Sequence, residues 1–546
     1  MIDDSPGSNG DHVGQNGYTA TQNSSEENRP KFTLKDTPVE NQRPMRVVIV
    51  GAGFSGIYST IRMTQRLRNI DLTVYEMNEE TSGVWWLNRY PGLACDIPSY
   101  CYQFSFAPNP YWSSLYAPGA EIRAYMQDVA ERYGANRFIK TSHQVTSATW
   151  DSENKVCCDL KNKRVGIIGN GSSAIQILPA IQPLEGIKVT CFARSPTWIV
   201  PAFGDTAMQK LGMDPSETKF SRRHQEMLAR QPDRFYKMRK TLEDEAATIY
   251  PLTLMGTDVQ TGARELFQKQ MEEKLEGRKD LQQIIPSFAP GCRRLTPGPG
   301  YLSALQQENV TFISQKIEEI TERGVKVTSG EEVELHVLVC ATGYDVEAPP
   351  TFQIRGRNGK ALTEKWKPHW ETYISLAVDE FPNFFLIAGP NCGLGSGSLL
   401  SIFEAQGDYI VKAIRKLQKE DYATIEAKPE RVADFSQYID EYFKGTVYTD
   451  ECSSWYRSGR LGSRIVALWP GSSVQCLEVL RSPRWEDYKF ESADPTGNLL
   501  RWMGNGWSQV LTEGDPSWFL DADVVDAPYE GKPEDSEFYR RRPFSY

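Results

Sequence analysis

The chain has 546 residues, which is enough for two or three hydrophobic cores. Hydrophobic residues make up 40% of it and aromatic residues 11%, which indicates a globular protein rather than a disordered one. The formal net charge of -10 argues against nucleic acid as a general partner, because phosphate binding requires a basic surface. No apolar run is long enough to span a membrane, and no secretory signal pattern opens the chain. We therefore expect a cytoplasmic protein.

The ten cysteines are scattered, with no C-x-x-C pair and no spacing typical of metal ligands. This pattern predicts reduced thiols and no metal site. We expect Cys191 and Cys340 to be core residues of strands.

In chain order, the first 44 residues are poor in large apolar side chains, which predicts a disordered leader. Residues 45–77 have the pattern of a strand, a glycine turn, a helix and a second strand, and residues 163–194 repeat it. A charged, helix-prone region lies between about 216 and 280. Further on, the segments 381–398 and 468–480 are predicted to form strands and functional loops. Two strand-helix-strand units favour an α/β, doubly wound architecture.

The first glycine turn is G-x-G-x-x-G, formed by Gly51, Gly53 and Gly56. These glycines permit a tight turn, close approach of a pyrophosphate and close packing of helix on strand. Glu76 ends the next strand, where its carboxylate can accept hydrogen bonds from ribose hydroxyls and would repel a 2′-phosphate. The turn therefore fits FAD or NAD, although a glycine turn can also serve packing alone.

The second turn is G-x-G-x-x-A, formed by Gly169, Gly171 and Ala174, with Ser172 and Ser173 between them. Its next strand ends in Arg194 and Ser195, where the first unit has an acid. A guanidinium there can pair with a 2′-phosphate, which points to NADPH, although a plain surface arginine is the alternative.

The two turns together imply FAD plus NADPH, and therefore hydride transfer to a flavin. We predict two dinucleotide-binding, Rossmann-like domains, with the FAD domain interrupted by the NADPH domain. The expected boundaries are a leader over 1–44, the FAD domain over 45–157 and 336–546, and the NADPH domain over 158–335 with a helical insertion at about 216–280. Because no redox C-x-x-C pair is present, oxygen is the better electron acceptor.

Several further segments resemble flavin-dependent Baeyer–Villiger monooxygenases, and most of all fungal members associated with secondary metabolism. They are GVWWLNRYPGLACDIPSYCYQFSF (83–106), GNGSSAIQ (169–176), GCRRLTPGPGYL (291–302), ATGYD (341–345) and WPGSSVQCLEVLRSPRWEDY (469–488). The resemblance implies that NADPH reduces FAD, that the reduced flavin activates O2, and that one oxygen atom enters beside a ketone carbonyl to give an ester or lactone.

The resemblance also implies roles for individual residues. Arg294 would be the active-site arginine, oriented by Asp96, and Arg293 would help to hold the 2′-phosphate. Trp455 would cover the nicotinamide. The residues expected to line FAD are Glu76, Val84, Trp85, Trp86, Leu87, Ala94, Cys95, Asp96, Ile97 and Tyr102.

The chain departs from the family between the two glycine turns. The family fingerprint F-x-G-x-x-x-H-x-x-x-W is absent, and the turns begin only 118 residues apart, at Gly51 and Gly169. Several dozen residues that would complete the FAD domain are missing, with a seam near Cys157 and Cys158. A dropped exon, a damaged chain and a diverged member each explain this. The alternatives to ketone oxidation are oxygenation at nitrogen or sulfur, and a non-catalytic or truncated flavoprotein.

Overall fold

The computed structural model describes residues 31–40, 42–145, 160–201, 203–298, 300–343, 352–458, 462–522, 524–525 and 531. The chain divides into two compact units, one of residues 41–491 and one of the two terminal stretches, up to Glu40 and from Ser492. Within the described ranges, no helix is both long and apolar enough to cross a membrane. The predicted seam at Cys157 and Cys158 lies outside the described residues, as do residues 1–30 of the predicted leader.

The strands are β1 Met45–Val50, β2 Ile70–Tyr75, β3 Ile139–Lys140, β4 Arg164–Ile168, β5 Lys188–Phe192, β6 Ile199–Val200, β7 Thr296–Pro297, β8 Val310–Ile313, β9 Ile317–Ile320, β10 Gly324–Val327, β11 Glu332–Glu334, β12 Val337–Cys340, β13 Tyr422–Ala427 and β14 Tyr488–Ser492. The helices are α1 Phe54–Arg66, α2 Val84–Leu87, α3 Gly119–Arg132, α4 Ser172–Ile181, α5 Asp205–Lys210, α6 Arg222–Arg230, α7 Pro232–Thr248, α8 Asp258–Lys274, α9 Tyr301–Leu305, α10 Leu362–Lys365, α11 Leu399–Lys419, α12 Pro429–Phe443, α13 Ser473–Arg481 and α14 Val510–Glu513.

The first predicted strand-helix-strand unit is β1, α1 and β2. β1 and β2 pair in parallel, with Val47 opposite Leu72, and β3 adds to β2 in the same direction. The parallel order is β1-β2-β3. α1 buries Ile57 and Ile61 at helical spacing, so its apolar face packs inward.

The second predicted unit is β4, α4 and β5, in a parallel sheet of order β12-β4-β5-β8. An antiparallel sheet of β9, β10 and β11 accompanies it. Val325 and Val327 of β10 form a buried cluster with Phe192 of β5, so the antiparallel sheet covers one face of the parallel sheet. Two parallel, glycine-turn sheets confirm the predicted α/β fold with two Rossmann-like sheets.

The charged region after residue 216 is helical, as predicted, and forms α6, α7 and α8. Side-chain caps explain two of the starts: the Ser221 hydroxyl accepts from the amide of His224, and the Thr257 hydroxyl accepts from that of Gln260. α7 buries Phe235 and Leu242 in a cluster with Trp112. The exposed charges therefore form the solvated face of a packed helical region.

Some local predictions are wrong. Residues 473–480 form part of helix α13 rather than a strand, because Ser472 caps the amide of Gln475 and buried Cys476 and Leu480 lie four residues apart on one face. Cys340 is exposed at the end of β12, whereas Cys191 is buried as expected. Cys292 and Cys452, 160 residues apart, form a disulfide, so the expectation of reduced thiols is wrong for this pair.

In the terminal unit, Val39 forms a bridge with Ser508, and the amide of Asn505 donates to the carbonyl oxygen of Thr37 at 3.0 Å. The side chain of Arg501 also donates to the carbonyl oxygen of Thr33. The described residues of the two terminal stretches are therefore joined by backbone contacts.

Candidate active site

The first glycine turn has the geometry that dinucleotide phosphates require. Gly51 has a positive φ of 97°, and a Cβ on Gly56 would lie 2.0 Å from the carbonyl oxygen of Gly51, so both positions depend on glycine. α1 begins at Gly53 with no side-chain cap among the described residues, which leaves its first amides free for phosphate. Glu76 is buried beside the turn, where its Oε2 accepts from the amide of Ala52 at 2.7 Å.

The second turn repeats this arrangement. Gly169 has a φ of 113°, and a Cβ on Gly171 would meet nothing within 4 Å, so a phosphate could approach the backbone closely. In this part of the described chain, no side chain caps α4 either. The side-chain amide of Asn170 donates to the carbonyl oxygen of Ser195, and the neighbouring Arg194 is exposed. Both turns therefore have the geometry that a dinucleotide requires, and Arg194 is exposed just beyond the end of the strand that follows the second turn.

Arg294 and Asp96 form a two-pronged ion pair. Arg294 Nε donates to Asp96 Oδ2 at 2.6 Å, and Nη2 donates to Oδ1 at 2.8 Å. Burial alone would raise the pKa of Asp96, but the charge and hydrogen bonds of Arg294 outweigh it and hold that pKa below its ordinary value. The Asp96 charge raises the pKa of Arg294, which stays charged at every working pH. The two residues therefore form a fixed, charged pair.

Sequence reasoning did not single out Tyr456, although it follows Trp455 directly. It lines the same cavity as Arg294, and burial raises its pKa to about 12 against the opposing charge of that guanidinium, so the phenol stays protonated. The Trp455 ring lies edge-on to it, with centroids 4.6 Å apart, and is 44% exposed. Tyr456 thus adds a neutral hydroxyl to the charged pair.

Arg293 points to the segment that carries Arg194. Its Nη1 donates to the carbonyl oxygen of Pro196 at 3.3 Å, two residues after Arg194. The disulfide between Cys292 and Cys452 joins the arginine segment to the segment that carries Trp455 and Tyr456. Sequence reasoning could not have paired these cysteines, because nothing in their spacing indicates contact.

The residues expected around the flavin lie near the first turn. Gly83, just before Val84, comes close to Gly53: a Cβ on Gly83 would lie 3.2 Å from the Gly53 Cα. α2 carries Val84, Trp85, Trp86 and Leu87, and the indole of Trp85 donates to the hydroxyl of Tyr102 at 3.1 Å. Ala94 and Cys95 precede Asp96, and the Ala94 carbonyl oxygen accepts from Gln176 of α4.

A largely apolar cavity lies beside Arg294. Glu245 borders it, but its carboxylate accepts from the amides of Gly204 and Ala207 at the start of α5 and so is engaged in structure. A positively charged group in an apolar cavity can stabilise a negative charge that develops on a bound substrate. The residues that line the cavity include Ile97, Phe203, Leu242, Ile249, Leu252, Arg293, Arg294, Leu394, Ser398 and Tyr456.

Residues 49–118 match the NAD(P)-binding Rossmann-like domain family. The FAD-binding monooxygenase tazF of Aspergillus terreus is 31% identical over 544 aligned positions, which take in 89% of this chain and 96% of tazF. A Baeyer–Villiger monooxygenase of Streptomyces coelicolor is 28% identical over 500 positions, covering 82% of this chain and 92% of that protein. The structure of cyclohexanone monooxygenase from Rhodococcus sp. Phi1 bound to NADP+ superposes with a TM-score of 0.69 at 21% identity, over 83% of this chain and all of that one.

These similarities agree with the two glycine turns, the exposed Arg194 and the charged pair beside the cavity. The chain is an enzyme that uses FAD. It belongs to the family of FAD-binding monooxygenases that includes the Baeyer–Villiger monooxygenases.

Proposed function

We propose that this enzyme inserts one oxygen atom from O2 beside a ketone carbonyl and so converts the ketone to an ester or lactone. The observation that carries this proposal is the Arg294–Asp96 pair at the edge of an apolar cavity. Oxygen insertion beside a carbonyl passes through an adduct with negative charge on oxygen. A fixed guanidinium in a site that excludes water stabilises such a charge.

The roles of the chain's own residues follow from this geometry. Bound FAD, once reduced by NADPH, would supply the electrons that activate O2. Arg294 would hold the developing oxyanion, and Asp96 would keep the guanidinium oriented toward it. Tyr456 would donate a second hydrogen bond from the same side of the cavity. These residues would act by charge and position.

The cofactors would be held by the two turns. We assign FAD to the first turn, with Glu76 at the ribose, and NADPH to the second turn, with Arg194 and Ser195 at the 2′-phosphate. The uncapped starts of α1 and α4 and the exposure of Arg194 support this assignment. Arg293 would assist at the 2′-phosphate, and Trp455 would lie over the nicotinamide.

The substrate we propose is a largely apolar ketone from fungal secondary metabolism, such as a polyketide. Aliphatic and aromatic side chains of six separate segments wall the cavity, and no carboxylate among its described lining residues is free to face a cationic substrate. The similarity to fungal members of the family supports this substrate class.

Replacing Arg294 tests the proposal. We expect Arg294→Ala to lower ester formation by roughly 100- to 1000-fold, the usual loss when one stabiliser of an oxyanion is removed. Reduction of the flavin by NADPH should persist, because Arg294 does not hold the first or second turn. The matched control is Arg222→Ala, an arginine that also pairs with a carboxylate but is 73% exposed.

Two outcomes would contradict the proposal. If ester formation survives in Arg294→Ala, the charged pair has no part in catalysis. If the wild-type protein oxidises amines or sulfides but no ketone, and the variant does so equally well, then oxygen transfer to nitrogen or sulfur is the function.

A further inference from the structure

The two parallel sheets have the same arrangement of a first strand, a glycine turn and a helix. Within the described ranges, the first strand of sheet β1-β2-β3 has a neighbouring strand on one side, whereas β4 of the second sheet has one on each side. Each sheet begins with a strand that runs into a glycine turn: β1 into Gly51 and β4 into Gly169. β4 lies between β5 and β12. β1 pairs with β2 on one side, and across the described ranges no strand pairs with its other side. The residues 46–50 therefore correspond one by one to residues 164–168.

The free edge of β1 is open where β12 ends in the second sheet. A Cβ on Gly169 would lie 2.3 Å from the carbonyl oxygen of Ala341, the residue after β12. Gly51 has nearly the same backbone conformation, with φ of 97° against 113°, yet a Cβ there would meet nothing within 4 Å. The counterpart of Ala341 is thus absent from the surroundings of Gly51.

One face of β1 is also uncovered. Val48 and Val50 are 51% and 52% exposed. Their counterparts are Gly166, which is buried, and Ile168, which packs against the cluster formed with β10. A continuous run of β-branched residues is typical of a parallel strand that is buried on both faces. The counterpart of the β9-β10-β11 sheet is therefore missing as well.

A cleft runs beside the free edge of β1. Its far wall is a second apolar run, residues 384–387, and its floor includes Ile410 and Ile414 of α11. Exposed edges of this kind are normally covered or charged, because they attract other strands. An additional parallel strand must be joined by a crossover of a dozen residues or more, so more than one strand's length of chain is needed to fill the cleft.

The alignments contain unmatched positions of a similar number. The 544 aligned positions with tazF take in only 89% of this chain, so several dozen positions of the alignment have no counterpart here. The alignment with the Streptomyces coelicolor protein has 500 positions on 82% of this chain and gives the same result.

We propose that the complete translation product carries a further segment of several dozen residues between β3 and β4. It is built like residues 317–340: antiparallel strands that cover Val48 and Val50, then a parallel strand on the free edge of β1 that ends in a small residue beside Gly51. The counterpart of β3 in the second sheet is β8, the strand that directly precedes β9, so the order of elements agrees. This inference concerns the assembly of the FAD domain and does not depend on which substrate is oxidised.

Sequencing the mature mRNA across the codons for Lys140 and Arg164 tests the first half of the inference. We expect an in-frame insertion of several dozen codons that includes an apolar run of about five residues followed by small residues. A full-length mature mRNA that encodes only the present chain would overturn the inference.

The second half is tested by expressing both chain lengths and measuring FAD retained per protein after gel filtration. Val48→Asp should lower retained FAD at least tenfold in the longer chain, because it would bury a carboxylate under the added strands. The matched control is Val259→Asp, at a valine that is 49% exposed in the first turn of α8, and it should leave retained FAD unchanged. In the shorter chain, Val48→Asp and Val259→Asp should have the same melting temperature.

The longer chain should also protect the β1 amides from hydrogen exchange in the monomer. The inference is overturned if Val48→Asp is harmless in the longer chain. It is equally overturned if the shorter chain retains stoichiometric FAD, either as a monomer or as a dimer whose β1 amides are protected by the second copy. None of these outcomes depends on ketone oxidation, so failure here is distinct from failure of the proposed function.

Discussion

Arg294 and Asp96 are 198 positions apart in the chain, yet each satisfies the other through two parallel hydrogen bonds. The two side chains are 38% and 23% exposed, so solvent screens the pair and its contribution to stability is modest. The pair is therefore kept for its geometry and charge. It gives the cavity a cation that stays charged in the working pH range.

Tyr456 should matter for turnover rather than for folding. We expect Tyr456→Phe to lower kcat for oxygenation roughly 10- to 100-fold, because a hydrogen bond to a charged group contributes about 1.5–3 kcal/mol. The KM for NADPH should not change. Steady-state kinetics of product formation make the measurement, with Tyr236→Phe, at a tyrosine that is 66% exposed, as the control. An unchanged kcat would remove Tyr456 from the site.

Glu243 on α7 provides a prediction about pH. Burial raises its pKa to about 7, and its partners are the Cys101 thiol and the Arg239 charge. A carboxyl whose pKa is raised in the folded state favours folding at low pH, and that contribution is lost as the pH rises from about 4 through 7.

Glu243→Gln should therefore melt at nearly the wild-type temperature at pH 5 and at a higher temperature at pH 8, by an amount equivalent to about 2 kcal/mol. Thermal melts at the two pH values make the comparison. Glu265→Gln, at an exposed glutamate of α8, serves as the control and should show no such trend. A melting difference that does not grow with pH would contradict the assigned pKa.

Individual site residues could be predicted from the sequence where a residue of the required chemical type stands in a family motif. Arg294 and Asp96 could be predicted because they stand in family motifs, and the structure brings them together. Tyr456 could not, since an aromatic residue beside a tryptophan is as consistent with packing as with function. The Cys292–Cys452 pair could not either, because a contact across 160 residues leaves no local signal.

Among the elements, α1 and α4 differ from α6, α8 and α13 in how they begin. Helices α6, α8 and α13 each follow a serine or threonine whose hydroxyl accepts a hydrogen bond from a backbone amide of the first turn. Helices α1 and α4 each follow a glycine. A helix start without a cap has unsatisfied amides, which a phosphate can bind. In the described part of the chain, other helices, among them α3, α11 and α12, also start without a side-chain cap, and α1 and α4 differ from them in starting after an extended glycine, Gly53 or Gly171, where the backbone is open to a phosphate.

The second turn predicts cofactor preference. Arg194→Ala should raise the KM for NADPH roughly 10- to 100-fold, since it removes a charge-assisted contact with the 2′-phosphate, and should leave the KM for NADH unchanged. Initial rates of flavin reduction with each cofactor provide the test. Arg323→Ala, at an arginine that is 71% exposed, is the control. Equal effects on both cofactors would show that Arg194 does not contact the 2′-phosphate.

The strand-helix-strand units could be predicted because apolar runs and glycine turns are local signals. α13 was missed because its apolar residues follow a Gly-Ser-Ser sequence that suggests a loop, and only the Ser472 cap and the buried Cys476 show a helix. The segment 381–398 was predicted to form strands and functional loops, and in the described structure it forms only isolated bridges, such as the one between Phe385 and Ala377. Residues 384–387 line the same cleft as the open edge of β1, and the described ranges contain no strand between the two.

For the whole molecule, the two glycine turns predict two cofactors, and a relative named as an FAD-binding monooxygenase, aligned along most of the chain, agrees with the flavin. Sequence could predict this much because each turn is self-contained. It could not predict that Arg294 and Tyr456 line one cavity, because that arrangement depends on packing between distant segments. The shape of the substrate likewise depends on the residues that line the cavity, and no sequence motif encodes it.

The most direct test of the central claim is a rapid-mixing experiment on the flavin-loaded protein expressed from its mature mRNA. The protein is mixed with NADPH without oxygen, and then with air and an apolar ketone, while the flavin absorbance and the products are followed. We expect NADPH to bleach the flavin faster than NADH does, and we expect the flavin colour to return in air as an ester or lactone forms. A flavin that NADPH does not reduce, or that reoxidises without forming an ester from any ketone tried, would contradict it.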